Sequence, residues 1–234
     1  MAHPPLALVV GANRGLGLGL VGELLGRGYD LIATARNPDK AGDLAALSAA
    51  NPGRVTIERL DLNDLAALDG FAAVIAGRVL DVLFVNAGVS GPAHKNGMQA
   101  TAEEMGALMF TNAVAPVRLA RHLLGNMREG SGVIAFMSSV MGSVADNKAG
   151  TSELYRASKA ALNSMTRGFY HGGLGGRKLT VLSLHPGWVR TDMGGPGAAV
   201  GIEESVKGLA DVLAAQKGTH AHRFLDYQGQ TIVW

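Results

Sequence analysis

Short β-branched apolar runs alternate with longer helix-spaced stretches along the whole chain, and this alternation restricts the fold more than any other feature of the sequence. The runs lie at 6–10, 31–35, 55–60, 82–86, 133–138, 179–185 and 223–226. Several are apolar at nearly every position, as parallel strands covered on both faces require. Helical spacing occupies about 16–27, 41–50, 64–77, 101–127, 153–171 and 203–216, with Thr101 and Glu104 spaced as a capping box at the head of the fourth stretch. Strand–helix alternation implies right-handed crossovers. The expectation is an α/β fold: a Rossmann-type doubly wound sheet of about seven mostly parallel strands, with helices on both faces. The 234 residues suffice for one such domain, and no linker, low-complexity tract or internal repeat divides them, so 1–234 is expected to be a single domain.

Composition removes several classes of function. The net charge is +2 with no lysine or arginine run, which leaves nucleic-acid binding without an electrostatic footprint. No apolar stretch reaches membrane-spanning length, and the opening "MAHPPLALVVGANRG" reads as a first strand rather than a signal peptide. Zero cysteines exclude disulfide and thiolate chemistry and are compatible with a reducing, cytoplasmic setting. The histidines are scattered and His220-x-His222 is too sparse for a metal centre, so none is expected.

The first strand runs directly into "GANRGLGLG", where Gly11, Gly15 and Gly17 form a strand-to-helix turn. Glycines there let backbone approach a pyrophosphate at a helix N-terminus, where N–H groups and the dipole favour anions. The spacing is G-x-x-x-G-x-G, and alone it fits a merely structural turn equally well. At the end of the second run stand Ala35 and Arg36, with no carboxylate to accept from a ribose 2′-hydroxyl. Arg36, with Arg14 from the glycine turn, suits a 2′-phosphate. This favours NADP(H), with NAD(H) still open; the alternative is two solvated loop arginines.

"YRASK" places Tyr155 four residues before Lys159, on one helix face. In isolation that is a surface pair. Together with the glycine turn, "NAG" at 86–88, a serine in "SSVMG", "HPGWVRTDMGG" and the closing "FLDYQGQTIVW", it resembles the classical short-chain dehydrogenase/reductase family, in its carbonyl-reductase-like and C-factor-like branch. The resemblance implies that Gly11, Asn13, Arg14, Gly15, Leu16 and Gly17 cradle the dinucleotide. It places Asp61 and Leu62 at the adenine, and Asn86, Ala87 and Gly88 beside the ribose. Pro186, Gly187, Val189 and Thr191 fall around the nicotinamide. Asn112 is implied as the active-site asparagine that holds a water leading to Lys159, although by itself it reads as a polar residue on a helix face.

The implied chemistry accounts for the Tyr–Lys spacing. A carbonyl being reduced needs a proton on oxygen, and a free tyrosine with a pKa of about 10 is a poor acid–base group at neutral pH. Lys159 would lower that value and bind the ribose hydroxyls. A serine would polarise the substrate oxygen. Ser138 and Ser139 point to opposite sides, and alignment with the family motif selects Ser139. The interval to Tyr155 is longer than the family's commonest spacing, which leaves the serine and the pocket wall open. A substrate loop at about 187–201 offers Trp188, Val189 and Met193, with Val140, Met141, Val89 and His94 opposite, for an apolar aldehyde or ketone. Met141 and Trp188 fit core or interface equally well. The fourth and fifth helical stretches are long and partly apolar beyond what one sheet needs; the resemblance implies that they pair copies into a homodimer or homotetramer, and Trp234 is expected at a second interface. The leading function is an NADP(H)-dependent carbonyl reductase or alcohol dehydrogenase. The second is a dinucleotide-binding regulatory or signalling protein with secondary catalysis.

Overall fold

All seven expected strands join one parallel sheet in the order β3-β2-β1-β4-β5-β6-β7. The computed structural model describes residues 3–234. The strands are β1 Leu6–Val10, β2 Asp30–Ala35, β3 Val55–Arg59, β4 Val82–Val85, β5 Val133–Met137, β6 Thr180–His185 and β7 His222–Asp226. Register follows the apolar runs: Ala7 pairs with Leu31 on one side and with Val82 on the other. Strand order reverses between β1 and β4, so the connections from those two strands leave to opposite sides. The crevice opened at their carboxyl ends is where such sheets bind ligands.

Two apolar layers enclose the sheet. On one face α1 (Gly15–Gly26), α2 (Gly42–Ala50) and α7 (Ile202–Gln216) bury Leu20, Leu24, Leu44 and Leu209 against β-strand residues such as Val9, Phe84 and Leu184. On the other, α3 (Leu65–Val74), α5 (Ala115–His122) and α6 (Glu153–Gly168) bury Leu68, Phe71, Leu119 and Leu162 against Leu8, Leu83 and Phe136. Phe136 meets Phe169 edge to face at 6.4 Å. Burying each such side chain contributes about 1.5–3 kcal/mol. Among the described residues no helix is long and apolar enough to cross a membrane.

The capping box forms as the sequence requires. Thr101 Oγ1 accepts the Glu104 N–H at 3.1 Å, and the Glu104 carboxylate accepts the Thr101 N–H at 3.0 Å. The single helix expected over 101–127 does not form. The chain makes α4 (Ala102–Met109), one wider π turn at Phe110–Val114, then α5 and a short 3-10 turn at Leu124–Asn126. Pro116 explains the break: it has no N–H to give to the carbonyl of Asn112, four residues earlier. The helix after Ser152 ends in a similar wider turn, Phe169–Gly173, so the last residues of the expected 153–171 lie outside regular α6.

Candidate active site

The glycine turn is shaped by contact. Gly11 has φ 80°, and a Cβ there would lie 2.9 Å from the Ala87 side chain. A Cβ on Gly17 would lie 2.1 Å from the Gly11 carbonyl oxygen, so only glycine fits. Asn86 locks the turn to the β4 end by donating to that same carbonyl at 2.8 Å. Gly11 N–H donates to Thr34 Oγ1 at 3.2 Å. The result is an open backbone cradle at the N-terminus of α1, whose first turn holds no acidic side chain to compete with an anion. A dinucleotide pyrophosphate fits this cradle.

The crevice is exposed at its β2 end. Arg36, just past β2, lies in solvent with no ion-pair partner among the described residues. Arg14 does not stand beside it unengaged; it forms an ion pair with Asp192 in the loop after β6. Asn13 is exposed, while Leu16 packs on the core. Asp61 accepts the Asn63 N–H at 3.0 Å, and Leu62 is buried. Ala87 N–H donates to the Val10 carbonyl at 3.0 Å, holding the 86–88 segment at the floor of the crevice.

At the other end α6 presents Tyr155 and Lys159 toward the ends of β4 and β5. Lys159 is buried and its Nζ donates to the Met137 carbonyl at 2.8 Å. A Cβ on Gly88 would lie 3.3 Å from the same Nζ, so the lysine sits against the crevice floor. The ammonium is 5.7 Å from the centre of the Tyr155 ring. Burial pushes the Tyr155 phenol up to about 12, with the Ser139 hydroxyl pulling it the other way, and pushes Lys159 down to about 8. Desolvation is the largest influence on the phenol, and with the ammonium 5.7 Å from the ring centre it sets the direction of the shift. Burial also pushes His185, ahead of Pro186, down to about 4, so it is neutral near pH 7.

The two serines divide as strand alternation requires. Ser138 is committed to Asn163, donating to Oδ1 at 2.7 Å. Ser139 faces the phenol, and its Oγ accepts the Met141 N–H at 3.1 Å. Asn112 lies in the π turn, fully buried. Its side chain accepts the Val89 N–H and donates to the Val89 carbonyl, both at 2.8 Å, and donates to Ser158 Oγ at 3.0 Å. Ser158 in turn donates to the Tyr155 carbonyl at 2.8 Å. Ser158 was not singled out from sequence, although its place between Tyr155 and Lys159 marked it.

The substrate side departs from expectation in two places. Val189 is buried and bridges to Val200 at the base of the loop, so its side chain does not line the pocket. His94 turns to Glu104, 3.3 Å away, with its Nδ1 accepting the Asn96 N–H, and not to the crevice. Trp234 packs within the chain on His222 and Phe224. Trp188 and Met193 are exposed on the loop, and Trp188 Nε1 donates to the Gly194 carbonyl at 2.8 Å. Thr191 Oγ1 accepts the Gly194 N–H at 3.1 Å. Gly187 turns the chain with φ 86°, and the Pro186 carbonyl accepts from Ser205 at 2.7 Å. Val89 and Val140 are exposed beside half-buried Met141 across the opening. Asp192 and Glu153, which accepts the Gly97 N–H at 2.7 Å, are further ties between loops that the sequence left unmarked. Among the described residues no cluster of side chains suits a metal ion.

A family model described as short chain dehydrogenase matches residues 5–199. The C-signal protein of Myxococcus xanthus is 39% identical over 165 residues, 70% of this chain and 98% of that protein. A Burkholderia multivorans structure with bound NADP is 42% identical, with a TM-score of 0.94, covering 99% of this chain and 100% of that one. A carbonyl reductase from Pseudomonas aeruginosa PAO1 in complex with NADP is also 42% identical, with a TM-score of 0.91 and coverage of 99% and 100%.

Proposed function

The chain belongs to the short-chain dehydrogenase family, and from that premise we propose that it is an NADP(H)-dependent reductase of aldehydes or ketones, with Tyr155 as the proton donor. The observation that carries this reading is convergence: the Tyr155 phenol, the Ser139 hydroxyl and the Lys159 ammonium meet at one end of a crevice whose other end is a glycine cradle. The bound nicotinamide supplies the hydride chemistry. The chain's own groups do the rest. Ser139 orients the carbonyl oxygen and stabilises charge gathering there. Tyr155, protonated at neutral pH, gives its proton to that oxygen. Lys159, held on the Met137 carbonyl beside Gly88, would bind ribose hydroxyls and favour the phenolate left behind. Asn112 fixes Val89 and Ser158, and so the spacing between crevice floor and α6.

NADP(H) is supported by Arg36, exposed at the β2 end and without an ion-pair partner among the described residues, and by the NADP held in the Burkholderia and Pseudomonas neighbours. An uncharged apolar substrate is supported by the rim. Met98, Val144, Trp188 and Met193 are exposed on the loops after β4, β5 and β6. Charges beside those loops are engaged elsewhere: Asp192 with Arg14, Arg190 with the Ala198 and Ala199 carbonyls, and Glu153 at the start of α6 with Gly97. A concavity lined by Val114 at the end of the π turn, Val117, Arg118 and Arg121 on α5, and Met165 and Gly168 on α6 supports self-association, which sedimentation at micromolar concentration tests.

The 39% identity to a protein named C-signal favours a second reading, a dinucleotide-binding signalling protein with secondary catalysis. NADPH oxidation against aldehydes, ketones, quinones and keto-esters separates the two. Turnover of apolar ketones ahead of charged keto-acids is expected. Tight NADPH binding with no turnover across the panel would overturn the reductase.

A further inference from the structure

We propose that Trp234 is a positioning residue for the wall of the carbonyl pocket, coupling that wall to the helix that carries Tyr155. The proposal rests on the reductase reading above. The segment between Ser139 and Glu153 connects β5 to α6, and so Ser139 to the helix of Tyr155, and its two halves are anchored differently. The first half, Val140–Gly142, sits directly on α6, where the Gly142 carbonyl accepts from Asn163 Nδ2 at 3.3 Å. The second half runs exposed from Val144 to Gly150. Its hydrogen bonds are local: Asp146 N–H to Ser143 Oγ, Asn147 N–H to the Val144 carbonyl, and Lys148 N–H to the Asp146 carbonyl. Among the described residues one bond leaves this stretch for a distant element. Ala145 N–H donates to the Trp234 carbonyl oxygen at 3.2 Å.

That acceptor is fixed by its own side chain. The indole stacks on His222 at 4.8 Å and 27°, and tilts against Phe224 at 5.2 Å. The Arg167 guanidinium lies over it at 6.0 Å. His222 and Phe224 project from the same face of β7, being two residues apart on a strand. Arg167 comes from the last turn of α6. His222 Nε2 lies 3.3 Å from Thr166 Oγ1, also on α6, and Thr166 Oγ1 lies 3.1 Å from Ser183 Oγ on β6. Burial and the neighbouring Arg167 and His171 push His222 down to about 4, so the stack holds a neutral imidazole around pH 7. The approach to Trp234 is braced by the Ile232 N–H on the Phe224 carbonyl at 2.9 Å. Trp234 therefore joins β7, α6 and the outer pocket wall. The wall holding Val140 and Met141 keeps its distance from Tyr155 because both ends of it are referred to α6. Without the indole, the outer half retains only its short internal bonds and the opening widens.

The test compares Trp234→Ala, Trp234→Phe and Ala145→Pro with the parent. Ala145→Pro removes the N–H donor and leaves the indole in place. The readouts are KM and kcat for a small aldehyde and a bulky aromatic ketone, and the NADPH Kd by fluorescence. In Trp234→Ala and Ala145→Pro, KM for the bulky ketone should rise by about 10-fold, while kcat and the NADPH Kd stay within about 3-fold. Trp234→Phe, which keeps a ring on His222, should restore most of the KM. An unchanged KM in both disruptive variants overturns the proposal. So does a parallel loss of KM, kcat and NADPH affinity, which marks a general structural role. Hydrogen exchange reads the same claim without turnover: amides 144–150 should exchange faster in Trp234→Ala, and unchanged protection overturns the proposal. A parent that binds NADPH but reduces no carbonyl would sink the reductase reading and leave the exchange measurement to decide the role of Trp234.

Discussion

The phenol end and the adenosine end of the crevice hold their polar groups in opposite ways. At the phenol end Asn112, Ser138, Ser158 and Lys159 are buried, and each is bonded to a named partner. At the adenosine end of the proposed site Arg14 and Arg36 stand in solvent, one in an exposed ion pair and the other with none among the described residues. The first arrangement fixes geometry at a cost in stability, since a buried cation is paid for by the rest of the core. The second costs little and is screened by salt, and on the proposed reading it leaves the choice of cofactor to one or two replaceable side chains. Precise placement of atoms is needed where bonds change, and a general attraction suffices where a phosphate is only to be held.

The largest test of this contrast is Tyr155→Phe. Turnover should fall by about 10²–10⁴-fold while NADPH affinity is nearly unchanged, read by steady-state rates and fluorescence titration. Equal turnover in mutant and parent would remove the assigned acid. Next is Arg36→Ala, which should weaken NADPH by about 10–100-fold, the loss of a charged hydrogen bond, and leave NADH as it was. An unchanged NADPH-to-NADH ratio would end the phosphate assignment.

Lys159 tests the stability cost. Its pKa falls from 10.5 to about 8 in the fold, so the penalty is full below pH 8 and lifts as pH rises toward 10.5. Stability in urea should therefore rise by about 1 kcal/mol between pH 7 and 9 from this group, and that rise should vanish in Lys159→Met. Tyr155 acts in the opposite sense at higher pH: raised from 10.0 to about 12, it lowers stability as pH climbs through that window. The smallest effect belongs to Asp192→Asn. An exposed pair is worth under about 1 kcal/mol, so NADPH binding should change by less than about 5-fold, with its salt dependence altered.

The sheet was legible because period and apolar content report directly on burial. The runs at 82–86 and 133–138 read as strands from their apolar content, and the structure sets them side by side in the middle of the sheet. Thr101 and Glu104 announced a helix start through local chemistry alone. The π turn was missed because one extra residue scarcely disturbs apolar spacing; Pro116 was the available signal. Loops carry no period, so His94 and Val189 were given to the pocket when Glu104 and Val200 hold them elsewhere. The Arg14–Asp192 pair spans 178 positions, and no local pattern connects its ends. The phenol's upward shift was missed for a different reason: attraction between Tyr155 and Lys159 can be read from spacing, whereas desolvation depends on everything packed around them.

The extra residue in the turn at Phe110–Val114 amounts to a permanent change of phase. Each helical position turns the chain by about 100°, so α4 and α5 are offset by that much relative to one unbroken rod. Asn112 can look toward Val89 and Ser158 while Leu119 and Ala120 look toward the sheet only because of that offset. Deleting a single codon within this turn would leave helicity by circular dichroism almost untouched, yet it would swing one of the two surfaces away from its partners. Gene-level tolerance here should therefore be sharply uneven: substitutions accepted at several positions, and changes of length refused at all of them.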